Sequence, residues 1–209
     1  MSGFFSHHFS ASYIRFLASG IFLLTIALFF NYRATQFAAT HAGPPVEDII
    51  LDHIPVVNME FMIVEGALLL VAAVLFLIAQ KPQRAPFLLK ATALFVIIRA
   101  FFLVLTHLGP YSINSHLAID SWVNYLGIGF PAALFFSGHT GMPFLMALIF
   151  WNQIRVRIFF LVSSGLMGCA VLLAHVHYSI DVFAAFFITY TIFILSTKIF
   201  RPDFELFHR

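Results

Sequence analysis

Long apolar runs with short polar mouths dominate this chain, and the runs are apolar all round rather than striped with a period of 2 or 3.6. Such runs predict helices with no water-facing side. Crossing a hydrocarbon core ~30 Å thick takes about 20 apolar residues. Five segments meet that length outright and a sixth does so once its polar mouth is allowed for, at roughly 13–31, 55–79, 86–107, 133–152, 155–174 and 178–198. These spans consume most of the 209 residues. The expected fold class is therefore all-α, an integral membrane bundle of six transmembrane helices, with 1–209 as a single domain and no room for a separate soluble one. Residues 1–12, with His7 and His8 among Phe4, Phe5 and Phe9, read as an interfacial N-terminal segment.

Composition agrees. With 61% hydrophobic and 10% charged residues and a mean hydropathy of +0.97, the chain would aggregate in water. Charge then sets orientation. Lys81, Arg84 and Lys90 flank the connection between spans two and three, Arg155 and Arg157 lie between spans four and five, and Lys198, Arg201 and Arg209 come at the C-terminal end. With Arg15 these place nine of the eleven cations on one face, leaving Arg33 on the other and Arg99 inside span three. Glu47, Asp48, Asp52 and Asp120 fall in the opposite connections. Cationic loops stay cytoplasmic, so both termini are expected there, with the long connections 32–54 and 108–130 outside. Span one, followed by Phe37-Ala38-Ala39-Thr40-His41-Ala42, has a longer apolar run than a signal peptide and reads as an uncleaved anchor.

The remaining composition adds little chemistry. The 28 Phe residues are packing and lipid-facing surface. Cys169, the single cysteine, excludes an internal disulfide and reads as a small buried side chain. Small residues four apart in Ser164-Gly165-Leu166-Met167-Gly168 read as close helix packing. His41, His53, His107 and His116 lie in or beside external connections, where solvation is the default. The net charge of +2 follows from topology, so no nucleic acid partner is expected.

An ionisable group inside a span is costly and marks a function or a buried partner. Here these groups are Glu60 and Glu65 in span two, Arg99 in span three, His139 in span four, and His177 and Asp181 in span six. Arg99 lies about two turns below the outer end of its span. It has two compatible readings: an ion pair with Glu65 or Glu60, and a planar guanidinium that holds phosphate oxygens. Phosphate contact is the preferred one.

Two strings concentrate the polar residues. In Ser137-Gly138-His139-Thr140, flanked by Pro131 and Pro143, the missing N–H of Pro143 is expected to disfavour a regular helix through residue 139. Backbone N–H groups from Ser137 to Gly141 would then face the outer boundary as an anion site, with the Ser137 hydroxyl as a further donor. In His177-Tyr178-Ser179-Ile180-Asp181, the histidine and carboxylate are four apart and share a helix face. The carboxylate can fix the imidazole tautomer and leave the other ring nitrogen free for phosphorus. The positive-inside count puts both strings at the outer face, which favours phosphoryl chemistry over two unrelated structural histidines.

Phe136-Ser137-Gly138-His139-Thr140 and His177-Tyr178-Ser179-Ile180-Asp181-Val182 resemble the signature blocks of the lipid phosphatase/phosphotransferase (PAP2) superfamily, and within it the sphingomyelin synthase branch. Arg99 through Thr106, Leu108 and Pro110 resemble a further block of that branch, with Gly109 intervening before the proline. The resemblance covers roughly residues 86–195, the expected catalytic core. It implies His177 as a nucleophile forming a phosphohistidine, Asp181 as its orienting carboxylate, and His139 as the acid that protonates the leaving alcohol and then the base that activates the acceptor. It also implies no metal and no cofactor. Several family elements are absent. No Lys-x6-Arg-Pro block is present, Gly168, Cys169 and Ala170 stand where a Ser-Arg would be, Pro131-Ala132-Ala133-Leu134 replaces a Cys-Gly-Asp, and Tyr190-Thr191-Ile192 replaces a later Arg. Arg99 is left as the intramembrane cation for phosphate. The expected phosphate-contacting set is Arg99, Ser137, Gly138, Thr140 and Tyr178, with Glu65, Glu60 and Thr106 in support.

Three functions are in play. The first is a headgroup phosphotransferase that moves a phosphoalcohol from a membrane phospholipid donor to ceramide or diacylglycerol. The second is a phosphatase of phosphatidic acid, a sphingoid phosphate or a polyprenyl diphosphate, with water as acceptor. The third is a small transporter or metal-binding membrane protein using His175-x-His177 and loop histidines, against which the scattered histidines argue. The chain fits a bacterial inner-membrane enzyme whose active site faces the periplasmic or exoplasmic side. Oligomeric state stays open, a homo-oligomer included.

Overall fold

The computed structural model describes residues 11–111 and 134–208. The expected interfacial segment lies almost wholly outside these residues, as do His116, Asp120 and Pro131. Among the described residues the chain is helical and has no strand: α1 (Ala11–Thr40), α2 (Glu60–Gln80), α3 (Ala85–Leu105), α4 (Gly138–Ile149), α5 (Ile154–Leu173), α6 (Ser179–Ile199) and α7 (Arg201–His208). Single 3₁₀ turns at Leu51–His53 and Pro82–Arg84 precede α2 and α3.

Five of these helices, α1, α2, α3 with its preceding turn, α5 and α6, are long and apolar enough to cross a membrane. The sixth expected span, 133–152, is described from residue 134 on, and its helical part, the 12-residue α4, would reach only ~18 Å at 1.5 Å per residue. Two boundaries also differ from the hydropathy reading. α1 runs to Thr40 rather than ending near residue 31, because hydropathy marks the lipid boundary whereas the helix continues until Gly43-Pro44-Pro45 stops it. α2 starts at Glu60, since the apolar residues before it are extended and bonded elsewhere, the Val57 N–H donating to the Leu173 carbonyl at 2.8 Å.

Pro143 sits inside α4 without breaking it. In the second turn of a helix it forfeits one hydrogen bond, to the carbonyl of residue 139, and the helix starts at Gly138 all the same. α4 is the inner element, packed on α5 and α6 and touching α3, while α1 lies along α3 and α2 lies on α5. Glycines set how close these helices come. Ser164 and Gly168 face inward as expected: the Ser164 hydroxyl donates to the Thr140 carbonyl at 2.7 Å, and a Cβ on Gly168 would stand 3.2 Å from Val182. Cys169, expected to be buried, is instead exposed on the outward face of α5. A helix crossing at the edge of a bundle has an outward face as apolar as its inward one, so the residue type does not reveal the side.

Gly141 carries the tightest approach at the core of α4. A Cβ there would lie 2.8 Å from the Thr189 hydroxyl and 2.9 Å from the Phe95 ring, both buried. Overpacking of this kind costs about 1–3 kcal/mol, against the ~1 kcal/mol that alanine gains over glycine within a helix. Gly141→Ala should therefore lower the thermal midpoint of the purified protein, and an unchanged or raised midpoint would show that α4 has room to shift.

The bundle has two chemically distinct ends. At one, Lys90 and Asp203 form an ion pair of 2.7 Å with both side chains nearly inaccessible, and Arg84 lies over the Phe150 and Phe207 rings, seating α7 on α3 and α4. At the other, the segment after α1 crosses the segment after α3 at a pair of glycines. The Gly43 N–H donates to the His107 carbonyl at 2.9 Å, and a methyl on Gly109 would collide with the Gly43 carbonyl. Both histidine strings belong to this second end.

Candidate active site

His177 reaches its place through the way α5 stops. Val176 N–H donates to the Val171 carbonyl at 3.1 Å and His175 N–H to that of Leu172 at 2.9 Å, the two bonds of a Schellman cap. The cap needs a left-handed residue, and His175 supplies it at φ 54°. A side chain in that region costs about 1–2 kcal/mol where glycine would cost nothing, so this turn is held by what packs around it. His175 is buried, edge-on to Tyr111, with neither ring nitrogen hydrogen-bonded among the described residues. The turn sends the chain back into α6 with His177 immediately before its N-cap, Tyr178.

The imidazole of His177 is buried and fixed from one side. Its Nδ1 lies 2.9 Å from the Leu134 carbonyl and 3.2 Å from Asp181 Oδ2. A carbonyl oxygen only accepts, so Nδ1 carries a proton and donates to both, and in the neutral ring Nε2 is then the nitrogen with the lone pair. No residue among those described bonds Nε2. Asp181 Oδ2 also accepts the Tyr178 N–H at 3.0 Å, so this carboxylate caps its own helix while it orients the histidine.

His139 stands opposite. It is the second residue of α4, whose N-cap Ser137 accepts the Thr140 N–H at 3.3 Å. Ser137 N–H in turn donates to the Asp181 carbonyl at 3.0 Å, which locks the start of α4 to the first turn of α6. The His139 and His177 rings come to 6.3 Å between centroids at 64°, and the His139 Nδ1 has no partner among the described residues.

Arg99 closes the third side from α3. Its Nε donates to the Phe136 carbonyl at 3.2 Å and its Nη1 to Asn31 Oδ1 at 3.4 Å, and a Cβ on Gly138 would sit 3.6 Å from Nε. The guanidinium thus lies against the N-terminus of α4, where N–H groups and helix dipole already favour an anion. Arg99 lies within electrostatic range of Asp181 and His139, and His139 within range of His177.

Not every expected residue joins this group. The Ser137 and Thr140 side chains, expected at phosphate, are fully buried and bonded to each other at 3.2 Å, fastening the helix start instead of facing a ligand. Tyr178 points away: its hydroxyl donates to the Gly109 carbonyl at 2.8 Å and accepts the Val46 N–H at 3.1 Å. The ion pairs of the described residues are Lys90–Asp203, His177–Asp181 and Arg201–Glu205, so the Arg99 pair with Glu65 or Glu60 is not among them. α2, which bears both glutamates, packs on α5 while α3 packs on α1. Thr106 is the half-buried C-cap of α3. Among the described residues no group of three or more His, Cys, Asp or Glu is arranged to hold a metal ion.

Residues 132–198, about a third of the chain, match the family model for the PAP2 superfamily C-terminal region. That match supports membership of the PAP2 superfamily. It spans α4, α5 and α6 and so takes in His139, His177 and Asp181, whereas Arg99 lies outside it. The match suggests a lipid phosphatase or phosphotransferase type of activity, and with the apolar helices an integral membrane protein. No curated protein and no solved structure matched the chain.

The Leu134, Phe136 and Asn31 contacts were not visible in sequence, because carbonyl and amide partners carry no pattern. Asp48 was counted only as an external acid, and it is buried at 7% exposure beside the His177 turn.

Proposed function

We propose that this protein is a membrane lipid headgroup phosphotransferase of the sphingomyelin synthase kind, working by double displacement through a phosphohistidine. The donor's phosphate rests between Arg99 and the N–H groups at Gly138. His177 Nε2 attacks phosphorus, the N–P bond forms as the bond from phosphorus to the diacylglycerol oxygen breaks, and His139 gives that oxygen its proton. His139 then takes the proton of an incoming lipid hydroxyl, whose oxygen attacks phosphorus as the N–P bond breaks. The histidine ends unmodified, with Asp181 orienting it throughout. In this reading the chain crosses the membrane six times with both termini cytoplasmic. The site opens to the exoplasmic side, as the distribution of Lys and Arg favours.

The observation that carries the reading is the one-sided fixing of His177. Two acceptors hold Nδ1 at 2.9 and 3.2 Å, while Nε2 has no partner among the described residues and the His139 ring lies 6.3 Å away between centroids. A buried imidazole held at one nitrogen alone leaves the other for a ligand.

The experiment offers phospholipids carrying radioactive phosphorus in the headgroup, together with ceramide and diacylglycerol, to the protein in nanodiscs without added metal. Label appearing in a new lipid is the expected result. Label released only to water, as phosphate or phosphoalcohol, would replace the transferase with a hydrolase. No turnover of any lipid would overturn the reading.

A further inference from the structure

Asp48 belongs to the segment between α1 and α2, far in sequence from both histidine motifs. Its Oδ1 accepts the N–H groups of Ile50 and Leu51 at 3.0 and 3.2 Å, curling the segment into the 3₁₀ turn that follows and aiming the other oxygen away from it. Oδ2 accepts the N–H of Ser179, the first residue of α6, at 2.7 Å. Burial opposes ionisation of this carboxyl, but the N–H groups of Ser179, Leu51 and Ile50 and the Ser179 hydroxyl outweigh it and hold the group below the usual carboxylate range. It is therefore an anion at neutral pH. The same segment is tied down nearby by the Val46 N–H on the Tyr178 hydroxyl and the Val57 N–H on the Leu173 carbonyl.

The first turn of α6 thus has two carboxylates sharing its donors. Asp181 takes Tyr178 N–H, and Asp48 takes Ser179 N–H from another part of the chain. Asp181 also has a second oxygen, Oδ1, that is buried without a partner among the described residues. An unfilled donor at a helix start attracts the nearest anion. Were Ser179 N–H empty, Asp181 would be drawn toward it and away from His177 Nδ1, to which its contact is already the longer of that nitrogen's two.

We propose that Asp48 is a positioning residue: by filling the Ser179 donor it keeps the Asp181 carboxylate on His177. The inference rests on the reading of His177 as nucleophile for its catalytic consequence, and on geometry alone for its effect on the imidazole.

The test compares wild type with Asp48→Ala and Asp48→Asn in nanodiscs, with selectively labelled histidine for NMR. The Nδ1–H proton of His177 should move upfield and exchange faster with water in Asp48→Ala. Asp48→Asn, which keeps an acceptor oxygen but no charge, should fall between. In the transfer assay kcat should drop about tenfold to a hundredfold, as small misplacements of a reacting group do, while KM stays within about twofold because phosphate ligands are untouched. An unmoved Nδ1–H resonance in both variants would overturn the proposal, as would unchanged kcat per folded molecule. Should Asp48→Ala not fold, Asp48→Asn decides alone, and its midpoint of thermal unfolding separates lost stability from lost alignment. If wild type moves no label at all, the transferase reading falls, and the resonance still decides whether Asp48 holds the pair.

Discussion

Replacing His177 with alanine should lower kcat/KM for headgroup transfer by about 10⁴-fold or more, the scale seen when a covalent nucleophile is removed from a site that otherwise survives. The chemistry leaves no substitute close by. The nearest imidazole, His139, has its centroid 6.3 Å away on another helix, and Asp181 is buried beneath the ring it orients. His139→Ala should cost about 10²–10⁴-fold, the usual contribution of a positioned acid and base. Since both act on one displacement, the double variant should be scarcely slower than His177→Ala alone. Acid-labile radioactive phosphate on the protein, trapped by rapid quenching, should be present in wild type and absent from His177→Ala. A His177→Ala enzyme retaining a tenth of the wild-type rate would remove the phosphohistidine from the mechanism.

The second large effect lies at the opposite end of the bundle. Lys90 Nζ and Asp203 Oδ1 meet at 2.7 Å with 8% and 4% of their side chains exposed, and the ammonium also faces the Phe16 and Phe200 rings. Removing one partner of such a pair strands the other charge, at a cost of about 3–5 kcal/mol, whereas replacing both by apolar groups of similar size is nearly neutral. Lys90→Met and Asp203→Leu should each sharply lower the midpoint of unfolding in detergent. The double variant should recover most of the loss. Singles within ~1 kcal/mol of wild type would mean that α7 releases its carboxylate to solvent at little cost.

These two sites differ in how far the sequence foretold them. His139, His177 and Asp181 were legible because each carries its chemistry in a short string, and an imidazole four residues before a carboxylate meets it on one helical turn. The spans α2, α3, α5 and α6 were legible because lipid demands sustained hydropathy. Lys90 read as one more flanking cation, since its partner is 113 residues away in a helix of eight. Asp48 read as a loop acid for the same reason. Ser137, Thr140 and Tyr178, expected at phosphate, each have a hydroxyl bonded within the protein, which no pattern in the sequence shows. Polar side chains announce that they need a partner but not which one, and at this end of the bundle the partners are backbone groups from distant segments.

The crossing of Gly43 with Gly109, and the reach of Val46 and Asp48 to Tyr178 and Ser179, impose an order on how the molecule is made. The polypeptide emerges from its N-terminus, so the segment after α1 is synthesised 131 residues before the Ser179 amide that its buried carboxylate requires. Until the first turn of α6 arrives, Asp48 Oδ2 has no N–H to accept, Val46 N–H has no hydroxyl to meet, and His177 does not yet exist. The end that bears His139 and His177 therefore closes only once α6 has been made, and the opposite end later still, since Lys90 waits for Asp203 in α7.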